Sequence, residues 1–343
     1  MEIHGMDIHP ATERQRLSAT GRQMSNCRIC GNGRDNRLHY PREMMFGRDE
    51  RFEYLECADC GCLQLTQIPE NLADYYPAQY YSYREPKKKR LAPFLARLRA
   101  LRTRAYLGEP GPIGSMLALL SRRPGHFEWL ARGNVRLDSR ILDVGCGSGG
   151  LLLKLQREGF RNLLGADVFI ERDLDYGNGV RILRQPIEAL QGPFDFVMLH
   201  HSFEHMPDSL ATLRELRAIV APGGTLLVRI PVADSHARRK YGLNWVAWDA
   251  PRHLYLHTVN SLHLVAAASG FAVDEVTYDS SRSQFVGSEL YLRGITFQEQ
   301  SLHHAGKAKA LFSATQWDDF EREAERLNAL RDGDTACFYL KPK

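Results

Sequence analysis

Apolar and polar positions alternate with two different periods along the chain. Between residues 27 and about 65, short segments such as 51–55 alternate apolar with polar residues, which predicts short strands. From about residue 126 onward, short apolar runs are separated by segments of helical period. We predict strands at 140–144, 162–167, 194–199 and 225–230, and helices at 151–158 and 209–220. Strands separated by helices favour an α/β fold with a parallel sheet that is covered on both faces.

The connecting and C-terminal segments have patterns of their own. Within the basic segment 84–104, apolar residues recur at helical spacing and predict a basic amphipathic helix; they are Leu91, Phe94, Leu95, Leu98 and Leu101. Glycine and proline at 108–114 indicate a linker. Segments 272–278 and 336–340 fit edge strands, and 316–330 fits an exposed, charge-rich helix. We divide the chain into a flexible leader (1–26), a cysteine-rich module (27–83), a basic helix with linker (84–125) and a larger α/β domain (126–343).

Composition excludes several classes of protein. The 343 residues are 43% hydrophobic and 25% charged, which is ordinary for a globular chain and unlike a disordered or collagenous one. Forty-five Lys and Arg residues against 41 Asp and Glu residues give a net charge of +4, which is mild for a nucleic-acid binder. No apolar run reaches the ~18 residues of a membrane helix, and the first 26 residues lack a signal-peptide pattern. The expectation is a cytoplasmic protein.

Four of the seven cysteines form two Cys-x-x-Cys pairs, Cys27 with Cys30 and Cys57 with Cys60. Each pair places two thiolates on one tight turn, and two pairs supply the tetrahedral sulfur ligands that a structural zinc ion prefers. An odd total of cysteines disfavours a disulfide framework. We therefore predict a closed zinc site, with a redox-active or merely buried cysteine set as the alternative.

The turn after the first strand of the α/β domain is rich in glycine. Residues 143–150 read Asp-Val-Gly-Cys-Gly-Ser-Gly-Gly at the junction of a strand and a helix, where free N–H groups can face an anionic ligand. The glycines alone also match a dinucleotide fingerprint, which leaves an NAD-dependent oxidoreductase as an alternative. Asp143, placed before the first glycine, favours another family. Segment 141–149 strongly resembles the first motif of class I S-adenosylmethionine-dependent methyltransferases.

Three later features agree with that resemblance in order and spacing. Asp167 ends the second strand, the Glu204–His205 pair follows the fourth strand, and Pro222-Gly-Gly precedes the fifth. The resemblance covers residues 138–280 and implies a Rossmann-like sheet of seven strands, the last of them antiparallel. It also implies that S-adenosylmethionine binds at the carboxyl ends of the first, second and fourth strands.

The resemblance implies roles for individual residues as well. The residues expected to bind the cofactor are Asp143, Gly145, Gly147, Gly149, Asp167, Ile187, Glu188 and His200. Asp143, Gly145 and Gly147 would hold its methionine end and Asp167 its ribose. Ile187 and Glu188 would lie near adenine, and His200 would line the sulfonium side. The alternatives are a purely structural glycine turn, an Asp167 that caps a helix and a solvent-exposed Glu188.

The order of the modules carries a second, less specific resemblance. Two Cys-x-x-Cys motifs, a tyrosine-rich run and then a methyltransferase domain are similar to zinc-containing sugar C-methyltransferases and polysaccharide-associated methyltransferases. Residues 248–257, with Pro-Arg-His-Leu at 251–254, fit the same group. The resemblance implies a small-molecule acceptor, with a nucleotide-linked or polymer sugar as the first hypothesis.

Histidines are the candidate catalytic residues, because removing a proton from a hydroxyl or a carbon acid needs a base with a pKa near neutral. Five of the thirteen histidines fall in two windows that face the acceptor in the resembled fold. We predict His253 as the base or an acceptor contact and His201 as the second candidate. Arg252 and Tyr255 are further candidates for contact with the acceptor, and His205 is expected to pack against or cap the following helix.

Other interpretations also fit these residues. Nine basic residues between 84 and 104 suit a linker helix, a helix on an anionic membrane surface, or an RNA methyltransferase that uses the zinc module and the basic helix. A non-catalytic zinc-bearing adaptor with a methyltransferase fold is a different class, and the intact glycines and Asp167 argue against it.

Overall fold

A computed structural model describes residues 26–76, 92–109, 111–302 and 311–343. Most of the predicted leader (1–25) and the start of the predicted basic helix (84–91) lie outside these described residues. In chain order the strands are β1 (Arg37–His39), β2 (Tyr54–Glu56), β3 (Leu63–Leu65), β4 (Arg140–Val144), β5 (Asn162–Ala166), β6 (Leu174–Asp175), β7 (Val180–Leu183), β8 (Phe194–His200), β9 (Val220–Pro231), β10 (Tyr255–Leu256), β11 (Phe271–Tyr278) and β12 (Thr335–Pro342).

The helices of the described residues include the four that the helical period predicted. They are α1 (Pro93–Tyr106), α2 (Pro112–Leu119), α3 (His126–Arg132), α4 (Gly150–Glu158), α5 (Ser209–Ile219), α6 (His236–Tyr241), α7 (Val259–Ala268), α8 (Ser283–Leu292), α9 (Phe297–Leu302) and α10 (Ala314–Ala329). Reciprocal capping boxes begin α7 (Thr258 with Ser261), α9 (Thr296 with Glu299) and α10 (Ser313 with Gln316). These side chains satisfy N–H groups that the first turn of a helix leaves without partners.

The larger sheet has eight strands in the order β11-β12-β9-β8-β4-β5-β7-β6. Five strands, β4, β5, β7, β8 and β9, run parallel to their neighbours in this group. β12 is antiparallel to both β9 and β11, and the two-residue β6 is antiparallel to β7. Without β6, this is the predicted seven-stranded arrangement with its last strand antiparallel. The Rossmann-like α/β prediction is therefore confirmed.

Two hydrophobic cores cover the two faces of this sheet. On one face, α5 and α7 pack against the sheet through side chains such as Leu216 and Leu262, both fully buried. On the other face, α3 and α4 contribute Phe127 and Leu152, which are also fully buried. Burial on both sides explains why the central strands read as apolar runs rather than as alternating patterns.

The basic helix with linker (84–125) forms two helices in its described part. α1 covers the predicted helix from Pro93 on, but α2 begins at Pro112, inside the segment interpreted as a linker. Proline is favourable at the first position of a helix, so the Gly-Pro sequence starts a helix here rather than extending a linker. Phe94 is 68% exposed on α1 and Leu119 is 89% exposed on α2. Contact with a membrane surface through this segment stays a prediction. In the described ranges no helix combines the length and apolarity that crossing a bilayer requires.

A second, smaller sheet has the order β1-β2-β3-β10, with every pair antiparallel. β10 comes from the α/β part of the chain, and Leu256 lies opposite Leu63 in the register. The strands of the cysteine-rich segment also share one hydrophobic core with Trp245, Trp248 and Phe285. The cysteine-rich segment is therefore joined to the larger domain by a common sheet and a common core.

Candidate active site

A cavity of about 880 Å³ lies at the carboxyl ends of the parallel strands. Gly145 after β4 and Asp167 after β5 line one end of it, which we call the cofactor end. His201, His205 and His253 line the other end, which we call the acceptor end. The position agrees with the general rule that open α/β sheets bind ligands beyond the carboxyl ends of their strands.

The glycine turn at the cofactor end requires glycine for steric reasons. Gly145, Gly147 and Gly149 have φ of 72°, 54° and 75°, in the left-handed region that other residues rarely adopt. A Cβ at Gly145 would lie 2.5 Å from Cβ of Ser202. Gly149 is the residue before α4, so the free N–H groups of that helix follow directly.

Two buried carboxyl groups flank the turn. Asp167 accepts a hydrogen bond from the Gly147 amide at 2.8 Å and another from the Phe169 amide at 2.9 Å. Asp143 is 4% exposed, and burial together with the charge of Asp167 raises its pKa to about 8. The two side chains predicted to bind the cofactor therefore lie together, and the backbone of the turn is fixed to one of them.

Of the other side chains predicted to contact the cofactor, two line the cavity and one does not. Ile187 and Glu188 lie in a short 3₁₀ turn after β7 and line the cavity. His200 does not line it, because its ring packs against Trp129 with the centroids 4.5 Å apart. Burial lowers the pKa of His200 well below its usual value. Successive side chains of a strand point to opposite faces of the sheet. The histidine that lines the cavity is therefore the next residue, His201.

The acceptor end holds a cluster of ionisable side chains. Glu204 is fully buried, and one of its oxygens lies 3.5 Å from Nδ1 of His201 and 3.8 Å from Nε2 of His253. Burial raises the pKa of Glu204, but His201, His205 and His253 together lower it to about 2. Burial lowers the pKa of His205. The structure thus brings both predicted catalytic histidines to the cavity, together with a carboxylate that the sequence had marked only as part of a motif.

Backbone carbonyl groups orient the two buried histidines. Nδ1 of His205 lies 2.8 Å from the carbonyl oxygen of Arg252, and Nδ1 of His253 lies 2.8 Å from that of Ala247. A carbonyl accepts but does not donate, so Nδ1 carries the proton in both rings. In the neutral rings this leaves the lone pair on Nε2.

The segment that carries His253 is held by the cysteine-rich part of the chain. The Tyr54 hydroxyl donates to the His253 carbonyl at 2.7 Å. Arg252 is fully buried, forms an ion pair with Asp249, and lies 3.6 Å from the equally buried Glu43. Arg252 is therefore bound to protein carboxylates and does not line the cavity, contrary to its expected contact with the acceptor.

Tyr255 is another expected acceptor contact that lies elsewhere. It is buried in β10, its hydroxyl donates to the Pro207 carbonyl, and the guanidinium of Arg28 lies 4.7 Å from its ring centroid. Glu43, Tyr54 and Asp249 had no role in the sequence analysis. No local motif marks them, because their partners are distant along the chain.

The four cysteines of the two Cys-x-x-Cys pairs converge. Their sulfur atoms all lie within 4.8 Å of one another, with Cys27 and Cys60 3.6 Å apart and Cys30 and Cys57 3.4 Å apart. Zn–S bonds of about 2.3 Å in a tetrahedron place sulfurs about 3.8 Å apart, so the donor set fits zinc. Thr258, the residue before α7, donates its hydroxyl to the Cys60 carbonyl at 2.6 Å.

A family model described as a methyltransferase domain matches residues 83–276, which is more than half of the chain. The chain belongs to this methyltransferase family. Membership confirms the predicted enzyme class and supports S-adenosylmethionine as the cofactor.

Named relatives of this methyltransferase include two bacterial proteins. A ubiquinone biosynthesis O-methyltransferase of Erwinia tasmaniensis is 30% identical over 113 residues, which are 29% of this chain and 46% of the relative. A protein of the same name from Xanthomonas campestris is 30% identical over 169 residues, 45% of this chain and 70% of the relative. The match thus spans about half the length of the first relative.

Solved structures similar to this methyltransferase include two cyclopropane synthases. One, from Mycobacterium tuberculosis, is 19% identical with a TM-score of 0.39, and the match covers 74% of this chain and 99% of the other. The other, a mycolic acid cyclopropane synthase in complex with SAH and CTAB, is 16% identical with a TM-score of 0.38. The match covers 59% of this chain and 78% of the other.

Proposed function

We propose that this methyltransferase transfers the methyl group of S-adenosylmethionine to an oxygen atom of a small-molecule acceptor. The observation that carries the proposal is the continuity of the cavity from the glycine turn and Asp167 to the histidine cluster. A volume of about 880 Å³ lies near the upper end of the range for ligand pockets, which suits a cofactor and an acceptor side by side.

At the cofactor end, we propose that Asp143 and the turn Gly145–Gly147–Gly149 hold the methionine part and that Asp167 accepts hydrogen bonds from the ribose hydroxyls. Ile187 and Glu188 would contact the adenine. His200 is a weaker candidate for the sulfonium side, since its ring lies against Trp129. The cofactor supplies a methyl group already activated by the sulfonium, so the protein mainly positions the acceptor and removes its proton.

At the acceptor end, His253 and His201 are the proposed catalytic residues. The lone pair on Nε2 of His253 suits it to take the proton of an acceptor hydroxyl. Nδ1 of His201 lies 3.5 Å from Glu204, and its Nε2 contacts Arg229, which places its proton on Nδ1. His201 therefore suits a positioning or donating role better than that of a base.

Two observations support a chemical class for the acceptor: the side chains that line the cavity and the names of the relatives. Apolar side chains such as Phe169, Met206 and Phe297 line the cavity beside the polar cluster, which suits an acceptor with an apolar body and a hydroxyl group. Transfer to oxygen is what the relatives' names describe. A nucleotide-linked or polymer sugar, the first hypothesis from the Pro-Arg-His-Leu segment, stays a prediction that an acceptor screen must include beside hydroxylated aromatic compounds.

We also propose that Cys27, Cys30, Cys57 and Cys60 hold a structural zinc ion. Four sulfur ligands complete its coordination, so the ion would have no open position for a reacting group. Its function would be to hold β1, β2 and β3, to which β10 and the His253 segment are attached.

Calorimetric titration with S-adenosylhomocysteine, run beside NAD, tests the cofactor proposal. We expect saturable binding of S-adenosylhomocysteine and none of NAD. Asp167→Ala should weaken binding about 10- to 100-fold, because hydrogen bonds to a charged group contribute about 1.5–3 kcal/mol. The matched control is Asp138→Ala, since Asp138 is an exposed aspartate outside the cavity. Tight NAD binding, or equal effects of the two substitutions, would contradict the proposal.

A further inference from the structure

Glu204, His205 and His253 form a cluster that the proposed transfer reaction does not fully explain. A carboxylate oxygen and one ring nitrogen from each histidine lie within 4.8 Å of one another. His205 and His253 face the cavity, and Glu204 lies directly behind them with no exposed surface. Two imidazoles and one carboxylate at this spacing are a frequent ligand set for a divalent cation.

The carboxylate of Glu204 has fewer partners than burial normally requires. Oε1 lies 3.5 Å from Nδ1 of His201, at the limit of a hydrogen bond, and Oε2 has no hydrogen-bond partner in the described part of the chain. No lysine or arginine among the described residues lies within 4 Å of it. The neighbouring Asp249 differs in this respect, because Arg252 neutralises it at close range. Burying a carboxylate that has one long hydrogen bond and no lysine or arginine beside it is costly, and a bound cation would offset that cost.

The two histidines are already oriented as metal ligands. Both donate Nδ1–H to a backbone carbonyl and keep the lone pair on Nε2. This is the arrangement that metal-bound histidines normally show, since the second hydrogen bond fixes the ring and its tautomer. His201 has the opposite tautomer and therefore directs a proton toward Glu204, so it is not counted as a ligand.

We propose that Glu204, His205 and His253 bind a divalent first-row transition-metal ion, such as Mn²⁺ or Zn²⁺, at the acceptor end of the cavity. Nitrogen ligands favour these ions over Mg²⁺ or Ca²⁺, which prefer oxygen. Three protein ligands leave coordination positions open toward the cavity, unlike the four-sulfur set of the cysteines.

The role of the ion rests on the proposed function, whereas its binding does not. An acceptor hydroxyl that binds an open position would have its pKa lowered by the ion and would lose its proton more easily to water in the cavity. In that state His253 acts as a ligand and not as the base.

Manganese binding to the untagged full chain tests the site. The protein is first treated with EDTA until only the tightly held cysteine-bound zinc remains, and is then titrated with Mn²⁺ while free Mn²⁺ is followed by electron paramagnetic resonance. Mn²⁺ is chosen because it prefers nitrogen and oxygen ligands to thiolates. We expect one saturable Mn²⁺ site per chain, and loss of this site, by about 100-fold or more in affinity, in Glu204→Gln.

Glu215→Gln is the matched control, because Glu215 is a carboxylate that lines the same cavity outside the cluster. It should bind Mn²⁺ as the wild type does. S-adenosylhomocysteine binding by Glu204→Gln shows whether this variant is folded; if it is not, His253→Gln takes its place. Absence of a saturable site in the wild type, or wild-type affinity in the folded variant, would overturn the metal site. Mn²⁺ binding without S-adenosylhomocysteine binding would instead overturn the cofactor proposal alone.

Discussion

At the cofactor end of the cavity, the lining residues Gly145, Asp167, Ile187 and Glu188 come from one continuous stretch of successive strands and turns. At the acceptor end they come from distant segments: Met45 and Tyr76 near the start of the described chain, His205 in the middle, and His253 and Phe297 beyond it. The first end therefore depends on local strand–turn–helix geometry. The second depends on long-range contacts that hold the His253 segment against the cysteine-rich sheet.

The largest expected effect comes from removing a proposed zinc ligand, which should affect the two ends of the cavity differently. Structural zinc sites contribute on the order of 10 kcal/mol to folding in small domains. In Cys57→Ser, we expect hydrogen exchange measured by mass spectrometry to speed up in β1, β2, β3 and β10, while the glycine turn still binds S-adenosylhomocysteine. Cys62→Ser is the control, since Cys62 is a buried neighbour outside the ligand set. Unchanged protection of β10, or loss of cofactor binding as well, would contradict this division.

Neutralising Glu43 should have the next largest effect. Glu43 and Arg252 are both fully buried, and removing one charge of such a pair typically costs about 3–5 kcal/mol. We expect Glu43→Gln to lower the free energy of unfolding by that amount in urea titrations. Turnover should fall more than the affinity for S-adenosylhomocysteine does, because the His253 segment loses its anchor. The matched control is Glu53→Gln, because Glu53 is partly exposed. If this substitution lowers the free energy of unfolding by as much as Glu43→Gln does, the ion pair has no special role.

The smallest expected effect lies at the cofactor end and depends on pH. The pKa of Asp143 is raised to about 8 in the folded chain, so its contribution to stability is present at low pH and is lost as the pH rises toward that value. Between about pH 6 and pH 8, we expect the wild type to lose about 1–2 kcal/mol of stability relative to Asp143→Asn. Thermal unfolding at several pH values measures this. If the stability of the two proteins changes equally with pH, Asp143 is ionised over the whole range from pH 6 to pH 8 and the expectation is wrong.

The sequence predicted the local part of the molecule well. The strand at 140–144, the glycine turn and the position of Asp167 all follow from patterns within about 30 residues, where periodicity and turn chemistry determine structure. Convergence of the cysteines was predictable for the same reason, since each pair is a short motif. The position of His201 and His253 at the cavity came only from the resemblance to known methyltransferases.

What the sequence did not predict depends on partners that are far apart in the chain. Arg252 was expected to contact the acceptor, but in the structure it lies beside Glu43. Glu43 is more than 200 residues earlier in the chain, so no local pattern indicates this pairing. His200 was expected at the cavity, but strand alternation directs its ring to Trp129. That Glu204 is buried among three histidines with no lysine or arginine beside it could be recognised only once the surroundings of its carboxylate were known.

The pairing of β3 with β10 has a consequence for synthesis on the ribosome. β3 leaves the exit tunnel long before Tyr255 and Leu256 have been translated, so one of its edges stays open while most of the chain is still being made. Open strand edges are sites where nascent chains associate wrongly. Truncated products that end before residue 255 should therefore aggregate more readily than products that extend past it, even when the four cysteines have already come together.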